Sequence, residues 1–402
     1  MSALADQLSA LASGLSATMV AHRRALHEIP ELSFEERETA QYLVQALRGL
    51  GLEPRTGIGG THGLLVELPG SGPGPTIMIR ADMDALPIEE NREHATRSRY
   101  AGRMHACGHD GHMAVALGVA EAVTALGRSS VLPGRLVVVF QPAEESGGGA
   151  AQMVQAGVLD ELRIDYILGL HLWSYLPRGQ AIIPDGTVMA SADEFHITLR
   201  GKGGHGALPH LAQDVVVGLA QTISALQTVV SRNVDPLKPA VLTIGHVAAG
   251  TAPNVLPESA VLHGTFRAPD IETRDAMLAR VKAIADGVAR SLDLTLSIDV
   301  DGAYPATVNH APVARTMREA ARIVLGADGV LEGPPTMAAE DFSVYLQHRP
   351  GAFMLLGMRD EAQGVIHPHH SPQFLVLEET LASGAEILLR TAVRLMQDPP
   401  RN

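Results

Sequence analysis

The sequence predicts an α/β fold in two parts, a mostly parallel sheet flanked by helices and an inserted ferredoxin-like α+β domain. Helix-period and strand-like segments alternate through residues 1–180, which is typical of a largely parallel sheet. From about residue 195 to residue 300 the order becomes β-α-β-β-α-β, the split arrangement of ferredoxin-like folds. A chain of 402 residues also exceeds one ordinary core, so two domains are expected.

The first part contains short buried strands and longer helices. Apolar spacing predicts an amphipathic helix over residues 36–50, ended by Gly51, and residues 113–126 form a second helix, ended by Gly127. Leu4, Leu8, Leu11 and Leu15 form a helical stripe near the start of the chain. β-Branched and apolar runs predict strands at residues 76–79, 136–140 and 166–170.

The second part begins with an alternating strand over residues 195–200, followed by the glycine-rich segment GKGGHGALPH. A helix over residues 214–230, strands over 240–247 and 261–266, a helix over 271–291 and a strand over 295–300 follow. Helix and strand signals of the first type resume at residues 311–325 and 351–356. We therefore predict one discontinuous domain, residues 1–187 and 303–402, and an inserted domain, residues 188–302.

Composition excludes several classes of function. The formal net charge of -13, without runs of like charge, argues against binding to nucleic acid or to an anionic membrane. No uncharged apolar stretch is long enough to span a membrane. The single cysteine cannot form an intrachain disulfide, and the N-terminus lacks the pattern of a secretory signal. A cytoplasmic protein is expected.

Four short segments carry side chains that bind metals. MHACGHDGHM contains Cys107 and His109, whose thiolate and imidazole can reach one ion from a single loop, and the sulfur favours zinc or another late transition metal. The others are QPAEE with Glu144 and Glu145, GLH with His171, and HPHHSP. Several of these groups follow predicted strands, so they can converge beyond the carboxyl ends of the sheet.

The pair Glu144–Glu145 indicates the chemistry. Adjacent side chains leaving a strand point in different directions, so one carboxylate can bind an ion while the other accepts a proton from water. Each motif alone has a simpler interpretation, since Cys107 could be a small buried hydrophobe and His171 a hydrogen-bonded core histidine. A thiol hydrolase using Cys107 and His109, or a non-catalytic metal- or amino-acid-binding protein, are the alternatives. The leading hypothesis is a metallohydrolase.

These motifs occur in order between His27 and Phe374, together with RADMDALP, GKGGHGALPH, TAPNVLP and HSPQF. The ordered set resembles that of the N-acyl-amino-acid amidohydrolases, a family that includes hippurate hydrolase and the auxin-conjugate hydrolases. The resemblance implies two divalent ions, zinc or else manganese, nickel or cobalt. Cys107 would bridge them, Glu144 would be the general base and Asp84 a supporting carboxylate. The remaining ligands would be His109, His171, Glu145 and His370. Asp82 and Cys107 stand where the wider family has a histidine and a bridging aspartate.

The resemblance also assigns roles in the inserted, dimerisation or lid, domain. His205 would polarise the scissile carbonyl, often in the partner subunit's site, while Asn254 and Arg267 would hold a substrate carboxylate or oxyanion. The implied activity is hydrolysis of hippurate-like N-acyl amino acids by a homodimer or a dimer of dimers. A dipeptidase or carboxypeptidase on the same fold is the alternative. With 3% aromatic residues, no aromatic cluster is expected to identify the acyl group.

Overall fold

The computed structural model describes residues 14–92, 96–127 and 132–400, so Leu4, Leu8 and Leu11 of the predicted stripe lie outside the described residues. Two compact units are present. The first comprises the described residues of Met1–Val188, Val308–Pro334 and Asp341–Asn402, and the second comprises Met189–Thr307 and Pro335–Glu340. The predicted boundaries, 187/188 and 302/303, lie one and five residues from the corresponding boundaries in the structure. Pro335–Glu340, which the prediction placed in the discontinuous domain, belongs to the second unit.

An eight-stranded sheet organises the first unit. In chain order its strands are β1 (Arg55–Thr56), β2 (Leu64–Pro69), β3 (Thr76–Asp82), β4 (Arg135–Gln141), β5 (Tyr166–Pro177), β6 (Ala181–Ile182), β7 (Val330–Leu331) and β8 (Gly351–Arg359). They lie in the order β1-β2-β4-β3-β5-β8-β6-β7. The central pairs β4–β3, β3–β5 and β5–β8 are parallel, so the predicted parallel sheet is confirmed.

The central strands read as continuous apolar runs because both of their faces are covered. Every residue of β3 is buried. β5 continues seven residues beyond the predicted end at residue 170, because β8 pairs with it from Ile167 to Pro177 and supplies ladder hydrogen bonds along the polar part of the strand. His171 therefore lies within a strand rather than just after one.

Helices cover this sheet. They are Ser16–His27, Arg37–Gly49, His109–Ala125, Gly149–Gln155, Val158–Glu161, Ala311–Leu325, Phe342–Leu346 and Leu381–Gln397. The helix His109–Ala125 begins four residues earlier than predicted, and its residues from His109 to Val123 are all buried. A helix buried on every side has no amphipathic period, so its first turn carried no sequence signal.

The second unit has the predicted β-α-β-β-α-β order. Its main strands are β9 (Ala192–Arg200), β10 (Val241–Ala249), β11 (Ser259–Arg267) and β12 (Thr295–Tyr304), in the antiparallel sheet order β10-β11-β9-β12. Ile271–Ser291 forms one helix, but the helix predicted over residues 214–230 is two, Val215–Leu226 and Thr228–Asn233. Phe195, Leu262, Phe266 and Val281 lie in its core. Among the described residues, no helix has the length and apolar character needed to cross a membrane.

Candidate metal centre

Cys107, His109 and His171 come together in the first unit. Their potential ligand atoms lie within 4.8 Å of one another, and Cys107 Sγ is 3.4 Å from His171 Nε2. Gly108, between the first two, has a φ of 96°, a left-handed conformation that glycine adopts without a steric penalty. This turn lets a loop cysteine and the first residue of a buried helix point at the same place.

Cys107 also belongs to a second group, with Glu145 and His370. His370 Nε2 lies 3.5 Å from Glu145 Oε1, and 53% of the His370 side chain is exposed. The His370 backbone has a φ of 64°, and its N–H donates to the carbonyl of Ala106 at 2.8 Å. This hydrogen bond joins the HPHHSP loop to the cysteine loop. Cys107 is thus shared by two groups of possible ligands, as a bridging thiolate would be.

The two buried histidines direct Nε2 toward the centre. His109 Nδ1 lies 2.8 Å from the backbone carbonyl of Asp84, and His171 Nδ1 lies 2.8 Å from that of Leu172. A carbonyl only accepts, so each Nδ1 donates its proton, and in the neutral ring the lone pair is therefore on Nε2. Such hydrogen bonds at the far ring nitrogen are the usual support of histidine ligands.

Two polar atoms in the centre are buried without a hydrogen-bond partner among the described residues. These are His109 Nε2 and Glu145 Oε1, which lie 3.8 Å apart. Leaving buried polar atoms unsatisfied costs about 1–3 kcal/mol each, so such atoms call for an explanation. A thiolate, imidazoles and a carboxylate are the donor set of zinc and its neighbours, and the residues present therefore fit divalent metal ions.

Electrostatics also favour a cation here and argue against the thiol hydrolase. Burial and the carboxylates of Glu145, Glu144 and Asp82 raise the pKa of the Cys107 thiol well above its usual range, so the thiol alone is not a nucleophile at neutral pH. Burial lowers the pKa of His109, but the surrounding carboxylates outweigh it and raise this pKa to about 10, so a metal ion that binds at Nε2 would displace a proton. The centre collects negative charge that a metal ion would balance.

Asp84 lies behind Glu144 and Glu145 and fixes both. Its Oδ1 accepts the backbone N–H of Glu144 at 3.0 Å, and its Oδ2 accepts that of Glu145 at 2.9 Å. Ser33 Oγ donates to the same Oδ2 at 2.7 Å. Asp84 therefore holds the two glutamates through their backbone and His109 through its own carbonyl.

Glu36 is a neighbouring residue that the sequence analysis missed. Its Oε1 accepts the N–H of Ala143 at 2.8 Å, and burial raises the pKa of Glu36 to about 7. Ala143 has a φ of 55°, a left-handed conformation that costs a residue with a side chain about 1–2 kcal/mol. The Glu36 hydrogen bond helps to offset this strain directly before the glutamate pair.

Asp82 lies beside the centre but is already compensated. Arg80 and His112 contact its two carboxylate oxygens, each at 2.7 Å, and His109 Nε2 is 3.6 Å away. His112 Nε2 accepts the backbone N–H of Leu172 at 3.0 Å, so neither nitrogen of His112 has a lone pair for a metal. Arg80 and His112 belong to the motifs RADMDALP and MHACGHDGHM, but only the structure shows that they pair with Asp82.

An aromatic cluster adjoins the centre, although aromatic residues make up only 3% of the chain. His171, Trp173 and Tyr175 alternate along β5, and the ring centroids of His171 and Trp173 are 5.5 Å apart. His369 packs on Trp173 at 4.9 Å and donates from Nε2 to the carbonyl of Leu172 at 2.8 Å. Tyr175 is 58% exposed. The cluster forms because period-2 alternation places three rings on one face of a strand, a signal present in HLWSY.

His205, Asn254 and Arg267 lie in the second unit. His205 ends the two-residue strand Gly204–His205, which pairs with Val255–Leu256, and Gly206 N–H donates to the Asn254 carbonyl at 2.9 Å. His205 and Asn254 are thus neighbours. Ala207 N–H donates to His205 Nδ1 at 3.0 Å, so neutral His205 carries its proton on Nε2, where it can donate. Arg267 ends β11, half-buried.

Comparison with known proteins places the chain in a family. The sequence profile of peptidase family M20/M25/M40 matches residues 78–394. The chain belongs to this family. It is 38% identical over 366 residues to thermostable carboxypeptidase 1 of Saccharolobus solfataricus, covering 90% of this chain and 91% of the relative. It is 36% identical over 384 residues to N-acetyl-L-cysteine deacetylase of Bacillus subtilis, covering 96% and 89%.

A solved structure supports the family assignment. The Bacillus subtilis YXEP protein, described as a dinuclear metal binding peptidase from the M20 family, superposes with a TM-score of 0.84 at 32% identity, covering 96% of this chain and 99% of that one. Other relatives are named IAA-amino acid hydrolase and N-acetyldiaminopimelate deacetylase. The chain is therefore a metal-dependent amidohydrolase with a mixed α/β fold.

Proposed function

We propose that this enzyme hydrolyses the amide bond between an acyl group and an amino acid, with Glu144 as general base. The observation that carries the proposal is the pair of carboxylates after β4. The potential ligand atoms of Glu145, Cys107 and His370 lie close together and could hold one metal ion. Those of Glu144, Glu145 and His109 form a second such group. A single carboxylate, Asp84, orients the backbone of both. The division into ligand and base predicted from the sequence is compatible with this arrangement.

The residues of the centre suggest the following roles. Cys107, His109 and His171 would hold one divalent ion, and Cys107, Glu145 and His370 a second. When bound, such ions would lower the pKa of a water toward about 7 and would polarise a carbonyl oxygen. Glu144 takes the proton of the attacking water on its carboxylate and returns it to the nitrogen of the leaving amine. Cleavage gives a carboxylic acid and an amino acid.

His205 is proposed to stabilise the tetrahedral oxyanion. Its Nδ1 accepts from Ala207, so the neutral ring offers the Nε2–H as a donor without a change of tautomer. Asn254 and Arg267 are proposed to bind the substrate carboxylate. Burial lowers the pKa of Arg267, yet an arginine remains protonated at neutral pH and can pair with a carboxylate.

The aromatic cluster favours a large, flat acyl group. Trp173 and Tyr175 extend from His171 along one strand face, and Tyr175 is largely exposed. Stacking on such rings would stabilise a bound aromatic acyl group by about 0.5–1.5 kcal/mol, in addition to the effect of burying its surface. An acetyl group has no ring and cannot stack. A carboxypeptidase activity is the second candidate, because a relative of 38% identity bears that name.

The proposed reaction predicts which amides are cleaved and what stops the cleavage. The zinc- or manganese-loaded enzyme should release amino acid from N-benzoylglycine with a higher kcat/KM than from N-acetylglycine. Prolonged dialysis against a strong chelator should abolish turnover, and divalent ions should restore it. Faster cleavage of dipeptides than of any N-acyl amino acid would favour the carboxypeptidase. Full activity after verified metal removal would exclude the metal mechanism.

We further propose a homodimer formed through the second unit, with His205 acting in trans. β10 is an edge strand, and Val241 and Val247 on it are exposed, as are Val216 and Val217 of the neighbouring helix. An unpaired strand edge beside exposed apolar side chains readily pairs with a second copy of itself.

Mixing two inactive variants tests this arrangement. His205→Ala and Glu144→Gln should each lose most activity as homodimers. In a mixed dimer, one site combines an intact Glu144 with an intact His205 only if the histidine crosses the interface. Activity should then return to at most about half of the wild-type value per mixed dimer, measured after dissociation and reassociation. No recovery in mixed dimers verified by mass spectrometry would mean that His205 acts within its own chain or not at all.

A further inference from the structure

Three histidines form a row across the sheet of the second unit, apart from the residues of the metal centre. His246 on β10 pairs with His263 on β11, and His263 pairs with His196 on β9. The ring centroids are 4.9 Å apart in the first pair and 4.3 Å in the second. Asp299 on β12 pairs with His196 and ends the row. Each of the four strands therefore contributes one polar side chain to one line.

A β-bulge makes the row possible. Ile244 pairs with Gly264 and His246 with His263, so Gly245 is an extra residue on β10. Without it, Ile244 and His246 would lie on the same face of the strand. Ile244 instead packs against the apolar core of the unit, while His246 lies on the opposite face beside His263, and both of these histidines are exposed.

The charges and the lone pairs around the row favour a bound cation. His196 Nε2 lies 3.9 Å from the carboxylate of Asp301, and 36% of the His196 side chain is exposed. Desolvation and the two neighbouring imidazoles lower the pKa of His263, so this ring is neutral at neutral pH and keeps a lone pair. Acidic groups lie on β12 at the His196 end, which helps to balance a bound positive charge.

We propose that this row is a separate metal site that binds one late first-row divalent cation, such as Zn²⁺ or Ni²⁺, through His263 and an adjacent histidine. Imidazole is a preferred ligand of these ions, with metal–nitrogen distances of about 2.0–2.1 Å. Two rings that share one ion at that distance have centroids about 4.5–5 Å apart. The observed separations of 4.3 and 4.9 Å are close to this range, and the paired strands hold both backbones in place.

Calorimetric titration with Zn²⁺ at pH 7.5 tests the proposal, using protein already saturated with Zn²⁺ and freed of excess metal. We expect a further binding event of about one ion per chain. His263→Gln should abolish it, because His263 belongs to both pairs. Only one of His196→Gln and His246→Gln, the variant that removes the second ligand, should weaken it, by at least about tenfold. His348→Gln, at an exposed histidine outside the row, is the matched control and should change nothing.

Three further measurements keep the test decisive. Thermal unfolding should show that the glutamine variants are folded, and their hydrolysis rates should equal that of the wild type, since the row lies outside the proposed catalytic residues. Binding of this additional ion should weaken as the pH falls below about 6.5, the usual pKa of histidine, because protons compete with the metal for the imidazoles. The proposal is overturned by the absence of a further event, by its persistence in His263→Gln, or by an equal loss in His348→Gln.

Discussion

The Glu144→Gln variant is expected to fold, retain its metal and lose nearly all turnover. Glutamine keeps the size of the side chain and an acceptor oxygen, but it cannot take a proton from water or return one to the leaving amine. Removing a general base typically lowers kcat by about 10²–10⁴-fold. Steady-state kinetics on N-benzoylglycine, together with metal analysis of the same preparation, measures both parts of this prediction.

Glu145→Gln is the natural partner of this experiment. Glu145 Oε1 lies near His109 and His370, so loss of its charge should lower the metal content as well as the activity. Both variants preserve the backbone N–H groups that Asp84 accepts, and neither should change the fold. Equal metal loss in the two variants, or normal kcat in Glu144→Gln, would refute the division of roles.

Cys107→Ala is expected to have the largest effect on metal content. Cys107 belongs to both ligand groups, so its removal takes a ligand from each proposed ion at once. Metal analysis should show a large loss at both positions, and activity should fall below detection at ordinary metal concentrations. Cys107→Asp is the informative comparison, because a carboxylate also binds divalent ions and can bridge two of them.

The aspartate variant separates a ligand from a nucleophile. If Cys107 holds metal, Cys107→Asp should recover a measurable part of the metal content and of the turnover. If the thiol attacked the substrate, the aspartate variant would be as inactive as the alanine variant whatever its metal content. Normal metal loading in Cys107→Ala would refute the assignment of Cys107 as a shared ligand.

Local patterns in the sequence predicted most of the architecture. The helix Ile271–Ser291 has the predicted bounds, and the β-α-β-β-α-β order of the second unit is as expected. The ends of buried elements were less predictable. β5 is longer than its apolar run because β8 pairs with its polar half, and the helix from His109 begins early because it is buried on all sides. Both effects come from partners distant in sequence.

The sequence by itself determined the types of ligand and the short spacings that bring them together, since Cys107 and His109 are two residues apart and Glu144 adjoins Glu145. The tertiary structure decided how those groups are held. Asp84 and Glu36 hold the glutamate loop through backbone hydrogen bonds that join residues about 60 and 107 positions apart.

The bulge at Gly245 turns His246 toward His263 against the strand's own alternation. Such contacts depend on which strands and loops become neighbours, and local propensity contains no information about these long-range pairings.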